Sequence, residues 1–372
     1  MKIGLPKEIK EQEYRVAIIP SNVSKLVDMG HTVYVEHDAG KMAGYSDEEY
    51  KAAGAILVDS EKEVFEKADL ITKVKEILPS EFGLLKENHI LFTYIHSSTR
   101  RPETEDIMNS KCIAFAMEDM KDPRGRFPLL EPMSRIAGEM AFTLGYFYSL
   151  ATQGGNGVAI NGASGVKPAK VVIFGCGFVG TSAAKLACGL NADVVVMDVN
   201  TDKMQDLMEN KLPHCRTKYS NKQNVIEEIK DADIVLNCTK WFKGLTIISR
   251  DMLKYMKPNA IIVDADAEPH GAIETAEFTT HEDPIKVVDG IRHICIPNLP
   301  SAVSHTSSAT LSNASIDYIA MIANKGWKKA VLENTTLENG LDFARGYLTW
   351  IDTAESLNIP LTDKKWIYEN FE

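Results

Sequence analysis

The stretch Val171-Val172-Ile173-Phe174-Gly175-Cys176-Gly177-Phe178-Val179-Gly180 carries an apolar strand straight into a G-x-G-x-x-G turn. A helix-forming segment, Thr181 to Leu190, follows, and a second apolar run ends on Asp198. In such a turn the glycines let the chain reverse tightly and let backbone N–H groups at a helix N-terminus approach a pyrophosphate. Asp198 lies 18 residues beyond Gly180, near the roughly 20 expected of the acid that binds a ribose 2′-hydroxyl. The order strand, turn, helix, strand, acid predicts a Rossmann-like dinucleotide site, with Gly175, Gly177, Phe178, Val179 and Gly180 as its cradle; the alternative is a glycine-rich βα turn that binds nothing. A carboxylate at Asp198 repels a 2′-phosphate, so NAD is expected over NADP. Lys203, five residues on, softens that preference without reversing it.

At 372 residues the chain is two domains long, by the usual prior of roughly 100–200 residues each. Its 44% hydrophobic and 25% charged content is that of an ordinary globular enzyme. A net charge of −11 argues against nucleic acid or an anionic membrane as the main partner. Met1-Lys2-Ile3-Gly4-Leu5-Pro6 opens directly as a strand, so no signal peptide is expected, and no apolar run approaches a membrane span. The cysteines at 112, 176, 188, 215, 238 and 295 are scattered without a C-x-x-C. They read as reduced thiols of a cytoplasmic protein, with no disulfide and no metal site.

Strand and helix alternate almost throughout, which predicts an α/β protein with two doubly wound, Rossmann-like domains and an inter-domain cleft. Strands are expected at Lys2–Leu5, Thr32–Glu36, Leu70–Val74, Ile90–Ile95 and Ile113–Met117. A second set is expected at Lys170–Phe174, Asp193–Asp198, Ile234–Asn237, Ala260–Asp264 and Val287–Val288. A long helix spans about Ser134 to Thr152, and the segments Ser307–Asn324 and Leu337–Ser356 also read as helical. The halves echo one another: Glu61 through Ile71 and Val225 through Val235 each hold an amphipathic helix, an Ala-Asp corner and an apolar strand. Two related domains and two convergent corners explain this equally well.

Ligands of open parallel sheets bind outside the carboxyl ends of the strands. That rule selects Lys73 and Lys75, which end the strand starting at Leu70, and His96, which ends the strand Ile90–Ile95. On a regular strand the two lysines share a face, where one ammonium depresses the other's pKa and together they attract a carboxylate; the bland reading is a pair of solvated lysines. His96 carries an imidazole suited to proton transfer near neutral pH. Arg15, in Glu13-Tyr14-Arg15-Val16-Ala17-Ile18, can grip a carboxylate with two parallel hydrogen bonds or sit in a surface ion pair. The acid-rich run Asp264-Ala265-Asp266-Ala267-Glu268-Pro269-His270-Gly271 follows a predicted strand and faces the same side.

Taken together these segments resemble the alanine dehydrogenase family, whose fold is shared with the NAD-binding subunit of proton-translocating transhydrogenase. The resemblance runs from Lys2 to about Trp327 and is carried by several motifs in order. They are Gly4-Leu5-Pro6-Lys7-Glu8 with Glu13 to Ala17, Lys73-Val74-Lys75-Glu76, Leu91 to His96, Pro132-Met133-Ser134 through Gly138, Thr152-Gln153-Gly154-Gly155, and Asn298-Leu299-Pro300 with Thr306-Ser307. It implies reversible oxidative deamination of an L-amino acid, L-alanine first, by an NAD-dependent oxidoreductase. By position it implies Arg15, Lys75 and Tyr94 at the substrate, His96, Lys75 and Glu268 in catalysis, and a structural Lys73. Ser134, Ser220, Thr239 and Asn298 then join the glycine turn, Asp198 and Lys203 at NAD. The implied domains are a discontinuous substrate domain, 1–130 plus 306–372, and an NAD-binding domain, 131–305, in a homo-oligomer that is most often a hexamer.

Some residues depart from the family pattern. The family's catalytic aspartate falls on Glu268, one methylene longer, and its pair of glycines reads Pro269-His270. Cys238-Thr239-Lys240-Trp241-Phe242-Lys243-Gly244 replaces a longer, smoother segment. These changes motivate a second reading, an opine-type carboxyethyl amino-acid synthase that condenses pyruvate with the amino group of ornithine or lysine. A third is a transhydrogenase-like NAD-binding module without catalysis of its own.

Overall fold

The computed structural model describes residues 1–212 and 215–371. They form two units, residues 1–133 with 303–372, and residues 134–302. Six strands open the chain: β1 (Lys2–Leu5), β2 (Thr32–Glu36), β3 (Ile56–Val58), β4 (Leu70–Thr72), β5 (Ile90–Thr93) and β6 (Ile113–Ala116). The second unit holds β7 (Lys170–Phe174), β8 (Asp193–Asp198), β9 (Arg216–Tyr219), β10 (Ile234–Asn237), β11 (Ile261–Asp264), β12 (Lys286–Val288) and β13 (Ile291–Ile294). The chain then returns to the first unit with β14 (Leu341–Ala344) and β15 (Tyr347–Leu348).

Both sheets have the same parallel core. In the first it runs β3-β2-β1-β4-β5-β6, and in the second β9-β8-β7-β10-β11-β13. Each is the 3-2-1-4-5-6 order of a dinucleotide-binding fold, with its switch point between the first and fourth strands. Antiparallel strands extend one edge of each, β14 and β15 beyond β6, and β12 beyond β13.

The near-continuous apolar strands reflect burial on both faces. Along β7, Val171 and Ile173 enter one core, while Val172 and Phe174 enter the other. The period of two recurs in β8, where Val194 and Val196 oppose Val195 and Met197. The long helix is Leu130–Ser149. A Cβ on its Gly138 would stand 2.0 Å from the Val179 carbonyl oxygen, so glycine is what lets this helix close on the turn after β7.

The predicted helix Leu337–Ser356 is instead a helix Thr335–Asn339, the β14–β15 hairpin and a helix Ile351–Leu357. Arg345 and Gly346 carry φ of 55° and 88°, the two left-handed residues of a tight hairpin turn. Asp289-Gly290 does the same between β12 and β13. The expected strands Leu70–Val74 and Ile90–Ile95 end earlier, at Thr72 and Thr93, so the residues beyond them lie in loops.

The internal echo is structural. Asp69 accepts a hydrogen bond from the Lys2 N–H at 2.9 Å, and its own N–H donates to the Lys2 carbonyl at 2.8 Å. Asp233 makes the same pair with Lys170, both at 2.9 Å. In each unit the aspartate that enters the fourth strand ties the start of the first. Asp233 is also the more buried and takes the Lys257 ammonium at 2.7 Å. Replacing Asp233→Ala strands a buried N–H and an ammonium and should cost about 2–3 kcal/mol. Asp69→Ala, at a solvated corner, should cost less than about 1 kcal/mol. Chemical denaturation of the two variants tests this order.

Candidate active site

In the first unit the sequence candidates follow the exits of neighbouring strands. Arg15 lies in the long loop after β1, and Glu13 engages it from two residues away. The guanidinium Nε and Nη2 each donate to a Glu13 carboxylate oxygen at 2.7 Å, and the Arg15 backbone N–H adds a third bond at 3.1 Å. Both side chains are at most 5% exposed. The Nη1 edge meets Met133 Sδ at 3.5 Å, a weak acceptor. Burial works to raise the Glu13 carboxyl, but Arg15, and then Lys75, hold it below the usual carboxylate range.

Lys75 is 8% exposed. Its backbone is fixed by Glu8, whose carboxylate takes the Val74 N–H at 2.5 Å and the Lys75 N–H at 3.4 Å, and by Thr93 Oγ1, which donates to the Lys75 carbonyl at 2.8 Å. Among the described residues its ammonium has no hydrogen-bond acceptor. Burial, then the nearby Arg15, lower its pKa to about 8.

The expectation that Lys73 and Lys75 share a strand face fails because β4 stops at Thr72. Neither lysine is solvated. Lys73 is buried on Glu81, with Glu61 at 3.9 Å, and burial there is overcome by Glu8, Glu81 and Glu61, which keep it charged. The cations that depress Lys75 are Arg15 and Lys10. Lys73 is a structural counter-ion.

His96 has φ of 54°, a left-handed conformation that is uncommon outside glycine. Glu118 stabilises it, accepting the N–H of Ile95 at 3.0 Å and that of His96, and lying 3.5 Å from the His96 Nδ1. Burial raises the Glu118 carboxyl to about 8, helped by Asp119. The His96 side chain is 43% exposed. Desolvation of its inner edge, then Lys75, push its pKa below the ordinary 6.5, so the ring is neutral at physiological pH. Tyr94 stacks 6.3 Å from it, with ring planes 9° apart, and its hydroxyl donates to the Leu129 carbonyl at 2.8 Å.

In the second unit the turn after β7 has the geometry its sequence requires. Gly175 has φ of 100°, and a Cβ at Gly180 would stand 1.9 Å from the Gly175 oxygen. Gly177 faces open space and caps the helix Phe178–Gly189, whose first N–H groups have no side-chain cap. Asp198 ends β8 and holds the turn, accepting the Cys176 N–H at 2.6 Å and the Asn200 N–H at 2.8 Å. Ser220 joins it through its N–H to the Asp198 carbonyl at 2.9 Å. Lys203 is exposed in the helix Thr201–Asp206, its carbonyl accepting from Cys176 Sγ. Thr239, after β10, lies against Gly175 and donates to Asn237 at 2.6 Å. Ser134 precedes Arg135, which lies over the Phe178 ring at 5.5 Å. Asn298 is buried in the loop after β13.

Glu268 is half-buried after β11. A Cβ on Gly271 would meet both Glu268 and Trp241 at about 3.0 Å, so these two side chains are neighbours. Trp241 is held by its N–H on Asp266 at 2.7 Å and its indole on the Leu245 carbonyl at 3.1 Å. Sequence reasoning missed Glu8, Glu13 and Glu118 as supports. Only Glu13 left a local signal, an acid two residues before a buried arginine.

Residues 4–137 match the family model of the alanine dehydrogenase/PNT N-terminal domain, and residues 141–351 that of the C-terminal domain. An alanine dehydrogenase of Methanococcus maripaludis is 42% identical over 368 residues, covering 97% of this chain and 98% of its own. One of Mycobacterium tuberculosis is 36% identical over 365 residues, covering 98% of each. A solved L-alanine dehydrogenase superposes with a TM-score of 0.89 at 36% identity, covering 96% of this chain and 99% of its own. A transhydrogenase structure from Sinorhizobium meliloti, 22% identical, shares the fold with a TM-score of 0.79 over 94% of this chain and 100% of its own. With both domain models matched and such identity over nearly its whole length, the chain belongs to the alanine dehydrogenase/PNT family.

Proposed function

We propose that this protein catalyses the reversible NAD-dependent oxidative deamination of L-alanine to pyruvate and ammonia, with residues 134–302 binding the cofactor and the remaining unit binding the substrate. One observation carries the substrate assignment: Arg15 and Lys75 are two buried cations whose Nη1 group and ammonium lack a strong acceptor among the described residues. A 2-oxo or 2-amino acid supplies the missing carboxylate.

The second unit fits NAD on its own geometry. Among the described residues nothing crowds Gly177, which leaves room for a ligand to approach the backbone, and the uncapped N–H groups of Phe178 to Gly180 suit a pyrophosphate. Asp198 keeps lone pairs for a ribose hydroxyl while holding the turn. Ser134, Lys203, Ser220, Thr239 and Asn298 complete the proposed lining. Bound there, the cofactor supplies hydride exchange with the substrate Cα.

The chain's own groups do the rest. Arg15 fixes the carboxylate, and Lys75 donates to the oxygen or nitrogen on Cα. Neutral His96 takes a proton from the water that adds to the imine and returns it to the departing amine. Tyr94 sets the ring plane, and Glu268 is the second unit's proposed catalytic carboxylate. Trp241 beside Glu268 favours one further reading, acceptance of a bulkier amine such as ornithine or lysine in place of ammonia. Association into a homo-oligomer, as in the family, is part of the proposal.

Initial rates with NADH, pyruvate and ammonium should exceed those with ornithine or lysine as the amine; the reverse order transfers the assignment to the carboxyethyl synthase. His96→Ala should lower turnover about 100-fold or more while NADH affinity, read by fluorescence titration, stays unchanged. The protonated Lys75 is the binding form. At saturating amine, kcat/KM for pyruvate should therefore fall as pH rises through about 8, and a flat profile there contradicts the role of Lys75.

A further inference from the structure

We infer that Glu13 is a positioning residue for this reaction: its carboxylate orients the Arg15 guanidinium and supplies the negative charge that lets Arg15 and Lys75 stay protonated together. The inference rests on the reading of Arg15 and Lys75 as the carboxylate site.

The geometry is one-sided. Glu13 occupies Nε and Nη2 at 2.7 Å each, the side fork of the guanidinium, and leaves the Nη1/Nη2 end to a ligand. Arg15 therefore presents its Nη1/Nη2 end, with three N–H groups left, and the direction of that end is set by Glu13. The same carboxylate acts on Lys75. The groups that face the ammonium are Arg15 and Lys10, which lower its pKa, and Glu13 and Glu76, which raise it; His96 lies close enough to feel the same charge. Arg15 itself is faced by Glu13, Tyr94 and Glu8. Glu76 is shared with Lys10 at 2.7 Å and Arg100 at 3.2 Å, and Glu8 with Lys73, so Glu13 is the acid committed to the pair.

Glu13→Gln keeps the shape and removes the charge. KM for pyruvate should rise roughly tenfold while KM for ammonium and NADH affinity hold. The fall in kcat/KM should move below the wild-type pH of about 8, because Lys75 loses a neighbour that raises it. Glu13→Asp keeps the charge one methylene short, so it should raise KM and leave the pH limb in place. An unchanged pyruvate KM and pH limb in Glu13→Gln overturns the inference, as does a lowered thermal midpoint with both kinetic readouts unmoved. Arg15→Ala separates the two levels. If it leaves pyruvate KM unchanged, the carboxylate reading fails; if it raises KM and Glu13→Gln does not, the reading stands and the role of Glu13 falls.

Discussion

Burying two cations within reach of each other is the constraint from which the first unit is built. Arg15 and Lys75 repel, and both have left water, so each needs counter-charge close at hand. Glutamates provide it: Glu13 on the guanidinium, Glu76 near the ammonium, Glu8 beneath the Lys75 backbone. Each does two jobs, since a carboxylate that balances charge also fixes whatever donates to it. The site's rigidity and its protonation state thus have the same source. Lys73 belongs to this arrangement one layer further in, holding Glu81 and Glu61 and lowering Glu8.

Sheet order decides which acid meets which backbone. Glu8 follows β1 and binds the N–H groups after β4, its neighbour in the sheet. Glu118 follows β6 and binds those after β5. In the second unit Asp198 ends β8 and binds the Cys176 N–H after β7. Glu36 ends β2 and binds the Lys7 N–H after β1 at 2.8 Å, the same bond in the other unit. Adjacent strand exits are tied by carboxyl groups, just as the corner aspartates Asp69 and Asp233 tie the opposite ends.

This explains what the sequence could disclose. The glycine turn and Asp198 were legible because the signal is contiguous, and the apolar strands because both faces are buried. Arg15, Lys75 and His96 were nameable as residues after strands and from family resemblance. Their supports were not, because Glu8 lies 66 residues from Val74, and Glu118 lies 22 from His96. Only the fold pairs them. The β14–β15 hairpin was misread as helix because its apolar residues fit either period, and the deciding feature, two left-handed residues at Arg345-Gly346, is a single dipeptide. Strand β9 escaped notice because an edge strand with partly exposed residues carries no apolar run.

Two sheets of identical order, closed by equivalent bonds, nevertheless differ in the first residues past the first strand. After β7 comes Gly175, at a φ of 100°, and the helix that follows has no side-chain cap on its first N–H groups. After β1 the corresponding position is Pro6, which cannot adopt that φ. The acid at the end of the second strand survives in both, as Glu36 and Asp198, and still ties the turn. Past the strands of the first unit the buried groups are instead cations, Arg15 and Lys75, with the glutamates that make their burial tolerable. An acid at the end of the second strand is therefore common to both units. The two turns differ in whether glycine or proline opens them beside that acid.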